Sequence, residues 1–189
     1  KTSGLGGGYS SPIVVGDSIY ITGDRNEKLE IIWNAVVTDV HGEGLAGVNG
    51  VTLKDTQTGT ITRVSTGSPG NEGNSGSSVP SISSDGRYVA FSGYDSTLVP
   101  GDTNADDDVF LHDRESGKTT RVSVSSAGIE GNHESHSGGI SASGRYVVFQ
   151  SYAWNLVSGD TNGAYDIFLH DVARGTTTRL SLSSSGVEG

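Results

Sequence analysis

The stretch Gly101–Asp113, GDTNADDDVFLHD, sets oxygen-bearing side chains at alternate positions. Asp102, Asn104, Asp106 and Asp108 stand at i, i+2, i+4 and i+6, and Asp113 falls at the twelfth place. Hard cations such as Ca²⁺ take roughly six to eight oxygen ligands, and a ladder of this kind opens an EF-type loop. A second copy, Gly159–Asp171, keeps Asp160, Asn162, Asp166 and Asp171. Calcium is therefore the candidate cofactor, held by Asp102, Asn104, Asp106 and Asp108 and, in the second copy, by Asp160, Asn162 and Asp166. Three details oppose it. Ala164 replaces the carboxylate of Asp106, the sixth position is Asp107 or Tyr165 where a sharp calcium loop wants Gly, and the twelfth is Asp and not a bidentate Glu. The competing reading is turn chemistry, in which the Asp and Asn side chains bond local backbone.

Other constellations carry less. His112 and His170 recur inside apolar runs, where a neighbouring backbone group or Ser/Thr is the expected partner. Glu130, His133, Glu134 and His136 crowd into EGNHESH, a set zinc could use, but without the helical frame that makes His-Glu-x-x-His a site. Tyr94, Tyr152 and Trp154 follow apolar runs and could either stack on a sugar or pack against a neighbouring sheet. GLGGGYS near the start is followed by no Lys-Ser/Thr and no helix, so it does not read as a phosphate loop. No nucleophile elbow is present, and no catalytic residue is assigned.

The elements that must position these residues are given by repetition. Arg63, Arg121 and Arg179 mark a period of 58 residues, and the two later units align without a gap. Gly86-Arg87-Tyr88-Val89 returns as Gly144-Arg145-Tyr146-Val147. Periods of this size signal stacked supersecondary units. Four strands are expected per unit: 79–83, ending at an Asp85-Gly86 turn, then 87–93, 108–113 and 119–125. The second and third are apolar throughout, so they are expected to be buried on both faces. The fourth alternates, with Val122 and Val124 on one face, as an outer rim strand does. Radial stacks of such sheets make a β-propeller. The units span 10–66, 79–125 and 137–183. The first is degenerate, and its segment 24–48, with KLEIIWNAVV, reads as an extra strand or an insertion.

The motif PSISSDGRYVAFSG…DVFLHDRESGKTTRVS resembles the TolB-like (WD-repeat-like) propeller repeat from Val51 to Gly189. GGGYSSPIVVGDSIYITG is similar to pyrroloquinoline-quinone-type propeller blades. The TolB-like resemblance implies a closed ring, often six- or seven-bladed, that serves as a binding platform or as a domain of peptidases or polysaccharide lyases. The fold class is then all-β: a β-propeller segment of about three four-stranded antiparallel blades, an incomplete ring. Either the chain is a fragment of a longer ring, which is preferred, or two chains close a six-bladed one.

Composition bounds the function. The net charge of −10 argues against nucleic acid and anionic membranes and suits cation binding. With no Cys, disulfides and thiolate metal sites are excluded. No apolar run approaches the roughly 20 residues that span a bilayer. Met is absent even at position 1, as expected of a processed or excised piece. The expectation is a noncatalytic scaffold that binds protein or glycan partners in an extracytoplasmic, bacterial setting. The alternatives are a propeller domain of a hydrolase or polysaccharide lyase, and a calcium-dependent adhesion module.

Overall fold

A computed structural model describes residues 50–53, 60–67, 70 and 75–188, together with the strand backbones at 13–15, 18–22, 28–32 and 54–55. Among the described residues there is no helix. The strands form three antiparallel sheets, each a simple meander in chain order.

The first sheet has five strands, β1 (Ile13–Val15), β2 (Ser18–Thr22), β3 (Lys28–Ile32), β4 (Thr52–Asp55) and β5 (Ile61–Arg63). β3 is cut from KLEIIWNAVV and lies between β2 and β4, pairing Ile31 with Ile19 and with Leu53. The rest of the 24–48 segment, and the opening of the first unit before Ile13, lie outside the described residues. The second sheet holds β6 (Ser77–Ile82), β7 (Tyr88–Gly93), β8 (Asp108–Asp113) and β9 (Lys118–Arg121). The third repeats it with β10 (Ser135–Ile140), β11 (Tyr146–Ser151), β12 (Asp166–Asp171) and β13 (Thr176–Arg179). Both place Phe opposite Phe, Phe91 on Phe110 and Phe149 on Phe168, with ring centroids 5.7 and 5.6 Å apart.

These two sheets are wedges because each has two unlike apolar faces. Phe91 and Phe110 of the second sheet pack on Val51, Leu53 and Val64 of the first. The opposite face of the second sheet, Ala90, Val109, Leu111 and Val122, receives Val147, Phe149 and Phe168 of the third. An aromatic face thus meets a smaller aliphatic face at each junction, and each buried Phe contributes about 1.5–3 kcal/mol. This is the arrangement the TolB-like repeat implies: the three sheets form an incomplete propeller-like segment, and among the described residues no ring is closed.

The fourth strand is shorter than its alternation suggests. β9 ends at Arg121, because Ser123 Oγ accepts from Val109 N at 3.1 Å and takes the chain out of the ladder. The meander fixes the two ends of each wedge. The tight turns at 83–87 and 114–117 share one end. The long β7–β8 loop, 94–107, and the connector 122–134 share the other, where the acidic stretch lies.

Candidate functional site

The acidic loop is held by a guanidinium. Arg121, at the end of β9, sets its Nε 2.9 Å from Asp108 Oδ2 and its Nη1 against Glu130. The carboxylate oxygens of Asp102, Asp108 and Glu130 come within 4.8 Å of one another around it. Ser123 Oγ donates to Asp108 Oδ1 at 2.7 Å. Glu130 lies on the connector and accepts from Thr103, from N at 3.0 Å and from Oγ1 at 2.5 Å, which fixes the start of the loop. The third sheet repeats the set. Arg179 Nη1 is 3.2 Å from both Asp160 and Asp166, and its Nη2 is 2.8 Å from Glu188. Thr161 N donates to Glu188 at 3.0 Å.

At the first copy Arg121 pairs with two carboxylates, Asp108 and Glu130, and Asp102 stands beside them. Burial pushes the Asp108 carboxyl up to about 7, against the pull of Ser123 and Arg121, and Glu130 and Asp102 push the same way.

The remaining ladder residues have separate tasks. Asn104 Nδ2 donates to Gly131 O at 2.8 Å, and its Oδ1 accepts from Asp106 N at 2.9 Å. Asn162 Nδ2 donates to Asp166 Oδ2 at 3.1 Å. Asp106 turns away, with an oxygen 3.9 Å from His133 Nδ1. Asp102 and Asp108 thus stay together with Glu130, and Asn104 and Asp106 point elsewhere. Arg121 and Glu130 were missed as partners of the loop, although both recur at the 58-residue spacing as Arg179 and Glu188.

The strand histidines are fasteners. Thr177 Oγ1 donates to Val124 O of the preceding sheet, so its lone pair must accept from His170 Nδ1, 2.9 Å away. That assigns the Nδ1–H tautomer, and burial lowers the His170 pKa in the same sense. His112 and Thr119 repeat the pair at 2.9 Å, with Thr119 donating to Thr66 O.

EGNHESH does not converge on a point. Glu130 serves Arg121, whereas His133, Glu134 and His136 join a surface of rings at the long-loop end. The His133 ring meets Tyr152 edge-on at 5.5 Å, Tyr152 lies 5.4 Å from Tyr165, and His136 stacks on Tyr165 at 6.4 Å. Tyr165 donates its hydroxyl to Glu134, which pushes its pKa up to about 12. Asp107 contributes an oxygen 3.9 Å from His136 Nδ1. Its carboxyl is raised by burial.

Local chemistry explains why rings stand out here. Asp95 points inward, accepting from Thr97 N at 2.9 Å and from Ser75 N at 3.3 Å, so its neighbours Tyr94 and Ser96 point outward. In the third sheet Ala153 points inward and Tyr152 and Trp154 point outward. Asn155 secures the turn by donating to Glu130 O at 2.8 Å. Tyr94, Ser96, Ser75, Asp102, Ala105 and Asp106 line a half-open cavity of about 280 Å³. Asp106 joins this cavity to the ring surface through His133.

No protein-family profile and no curated protein matches the chain. Solved structures similar to it include TolB from Acinetobacter baumannii, with 18% identity and a TM-score of 0.44 over 85% of this chain and 33% of that one. The tricorn protease is similar at 13% identity and a TM-score of 0.46, over 89% of this chain and 16% of that one. An oligogalacturonate lyase in complex with manganese is similar at 17% identity and a TM-score of 0.45, over 89% of this chain and 43% of that one. The chain spans less than half the length of each of these three.

Proposed function

We propose that this chain is a noncatalytic propeller-type scaffold that binds glycan at the long-loop end of its second and third sheets. The observation that carries the reading is the exposure of Tyr94. Its own sheet is covered on both faces, yet Tyr94 remains 52% exposed beside the cavity. Tyr152 and Trp154, the latter 58% exposed, take the places of Tyr94 and Ser96 one period later, so that row of positions faces solvent and not a neighbouring sheet. Exposed rings on loops anchored to a rigid frame are a binding feature. Flat rings offer faces for the C–H surface of a sugar, and Asp102, Asp106 and Ser96 offer hydroxyl partners. A rim that includes Asp106, Asp107 and Glu134, on a chain of net charge −10, repels uronate and sulfate groups, which favours a neutral or amino sugar. A chain without Cys is at ease in an oxidising compartment, which supports a place outside the cytoplasm.

The test is a tryptophan-fluorescence titration with neutral, amino and acidic oligosaccharides. A neutral or amino sugar is expected to quench, and Tyr94→Ala, read by the same fluorescence, or Trp154→Ala, read by titration calorimetry, to weaken binding about tenfold, or roughly 1.4 kcal/mol, at unchanged melting temperature. Equal affinity in the two variants and the parent sinks the reading.

A further inference from the structure

The two long loops share a geometry and differ at one neighbour. In the second sheet Asn104 precedes Ala105, and one period on Asn162 precedes Gly163. Asn104 Oδ1 accepts from Asp106 N at 2.9 Å, and Asn162 Oδ1 accepts from Ala164 N at 3.0 Å. Each bond folds the carboxamide back over its own chain, in a ring that contains both the carboxamide carbon and the backbone nitrogen of the next residue. The same bond draws electron density from that carbon. At Asn104 the Cβ of Ala105 crowds the nitrogen. At Asn162 the next residue has no Cβ, Gly163 and Ala164 are exposed, and no atom lies within 4 Å of the place a Cβ on Gly163 would take. Glycine also leaves the peptide plane freer to turn toward the side chain.

We propose that Asn162 is a site of spontaneous deamidation that loosens the Arg179 clasp as the protein ages. Gly163 N gives its proton to a solvent base and attacks Asn162 Cγ. A C–N bond forms there, the Cγ–Nδ2 bond breaks, and the side-chain nitrogen takes a proton from water and leaves as ammonia. Water then opens the cyclic imide at either carbonyl, which yields aspartate or isoaspartate.

The product lands in a crowded place. Asn162 Nδ2 donates to Asp166 Oδ2 at 3.1 Å, and conversion replaces that donor by a carboxylate oxygen. The new charge joins Asp160, Asp166 and Glu188 around the one guanidinium of Arg179. Burial already raises the Asp160 carboxyl against the pull of Arg179, and Asp166 and Glu188 push the same way. A further anion weakens the hold of Glu188 on Arg179 and on Thr161 N. The proposal is independent of any ligand at the long-loop end.

The test holds the folded 189-residue chain in mildly alkaline buffer beside the isolated peptide 159–166 and reads conversion by peptide mapping. Asn162 is expected to convert about tenfold faster than Asn104, a barrier lower by roughly 1.4 kcal/mol. Asn49, which also precedes a glycine, is followed in its own peptide. Gly163→Ala is expected to slow conversion at Asn162 to the rate of Asn104. In Asn162→Asp the amide exchange of Thr161 is expected to quicken. An Asn162 that keeps its amide in the folded chain while the isolated peptide converts overturns the proposal. So do equal rates at Asn104 and Asn162. Thr161 exchange unchanged in Asn162→Asp overturns the link to the clasp. Should Gly163→Ala fail to fold, the comparison of Asn162 with Asn104 in the unsubstituted chain still decides.

Discussion

Arg121 Nε lies 2.9 Å from Asp108 Oδ2, and the pairing recurs one period on between Arg179 and Asp166. The side chains in both pairs are almost fully buried. The positive charge that the acidic loop calls for is therefore supplied from within the sheet, by the residue at which the fourth strand ends.

Removing that charge is costly. Arg121→Ala leaves Asp108, Glu130 and Asp102 crowded without a counter-charge, and a loss of about 3–5 kcal/mol is expected from urea denaturation. Arg87→Ala breaks a bidentate pair with Asp113 that is open to water, and about 1 kcal/mol or less is expected. Calcium would have to share the loop with Arg121, so melting in millimolar calcium and in chelator should agree within about a degree; a bound cation would raise the midpoint by mass action. A rise of several degrees with calcium would show that the ladder takes the ion despite the arginine.

Stability should pass through a maximum in mildly acidic solution. Arg87 holds Asp113, and Arg145 holds Asp171, well below the usual carboxylate range. Their contribution is present above the unfolded value, about 3.9, and is lost as pH falls toward their folded values. Asp108 acts oppositely. With a folded value of about 7, it retains a proton that the unfolded chain releases, so its contribution is complete below about 4 and lost as pH rises through 7. Urea midpoints from about pH 3 to 8 should show both limbs, and Asp108→Asn should flatten the upper one. An upper limb unchanged in that variant removes Asp108 as its cause.

The cavity wall contains a correctable strain. Ala105 has φ +53°, and Gly163 occupies the equivalent place with φ +61°. A left-handed conformation costs an L-residue about 1–2 kcal/mol, part of which glycine returns as unfolded-state entropy. Ala105→Gly should therefore stabilise by about 0.5–1 kcal/mol and Gly163→Ala destabilise by a similar amount. Opposite signs in thermal melts are the expected result.

The seam between outer strands can be probed at one hydroxyl. Thr177→Val removes the donor to Val124 O and the acceptor for His170 Nδ1, at a cost of about 1–3 kcal/mol. Thr177→Ser should recover most of it. A serine variant as unstable as the valine one would point to the methyl group instead.

The wedge was legible because its signal is redundant. The period set the unit, and the apolar runs placed β7 and β8 within a residue of their observed bounds. Burial on both faces holds for β7 and β8 but not for β11 and β12, because one face of the third sheet is bare. The fourth strand was read too long, since no local pattern shows a serine hydroxyl replacing a ladder bond at Ser123. The loop was harder. Its carboxylates are adjacent in sequence, whereas Arg121 and Glu130 lie in other elements, and ligand spacing alone does not reveal a distant counter-ion. The exposed rings were ambiguous for a geometric reason: whether Tyr94 and Trp154 turn outward depends on Asp95 and Ala153 turning inward.

Glu130 follows Arg121 by nine residues and lies beyond the last strand of its own sheet. A ribosome adding about 5–20 residues per second must therefore run on for roughly half a second to two seconds before each wedge receives its final clasp. Synthesis order and assembly order are thereby coupled, and a wedge whose clasp has not yet emerged is the vulnerable species during translation.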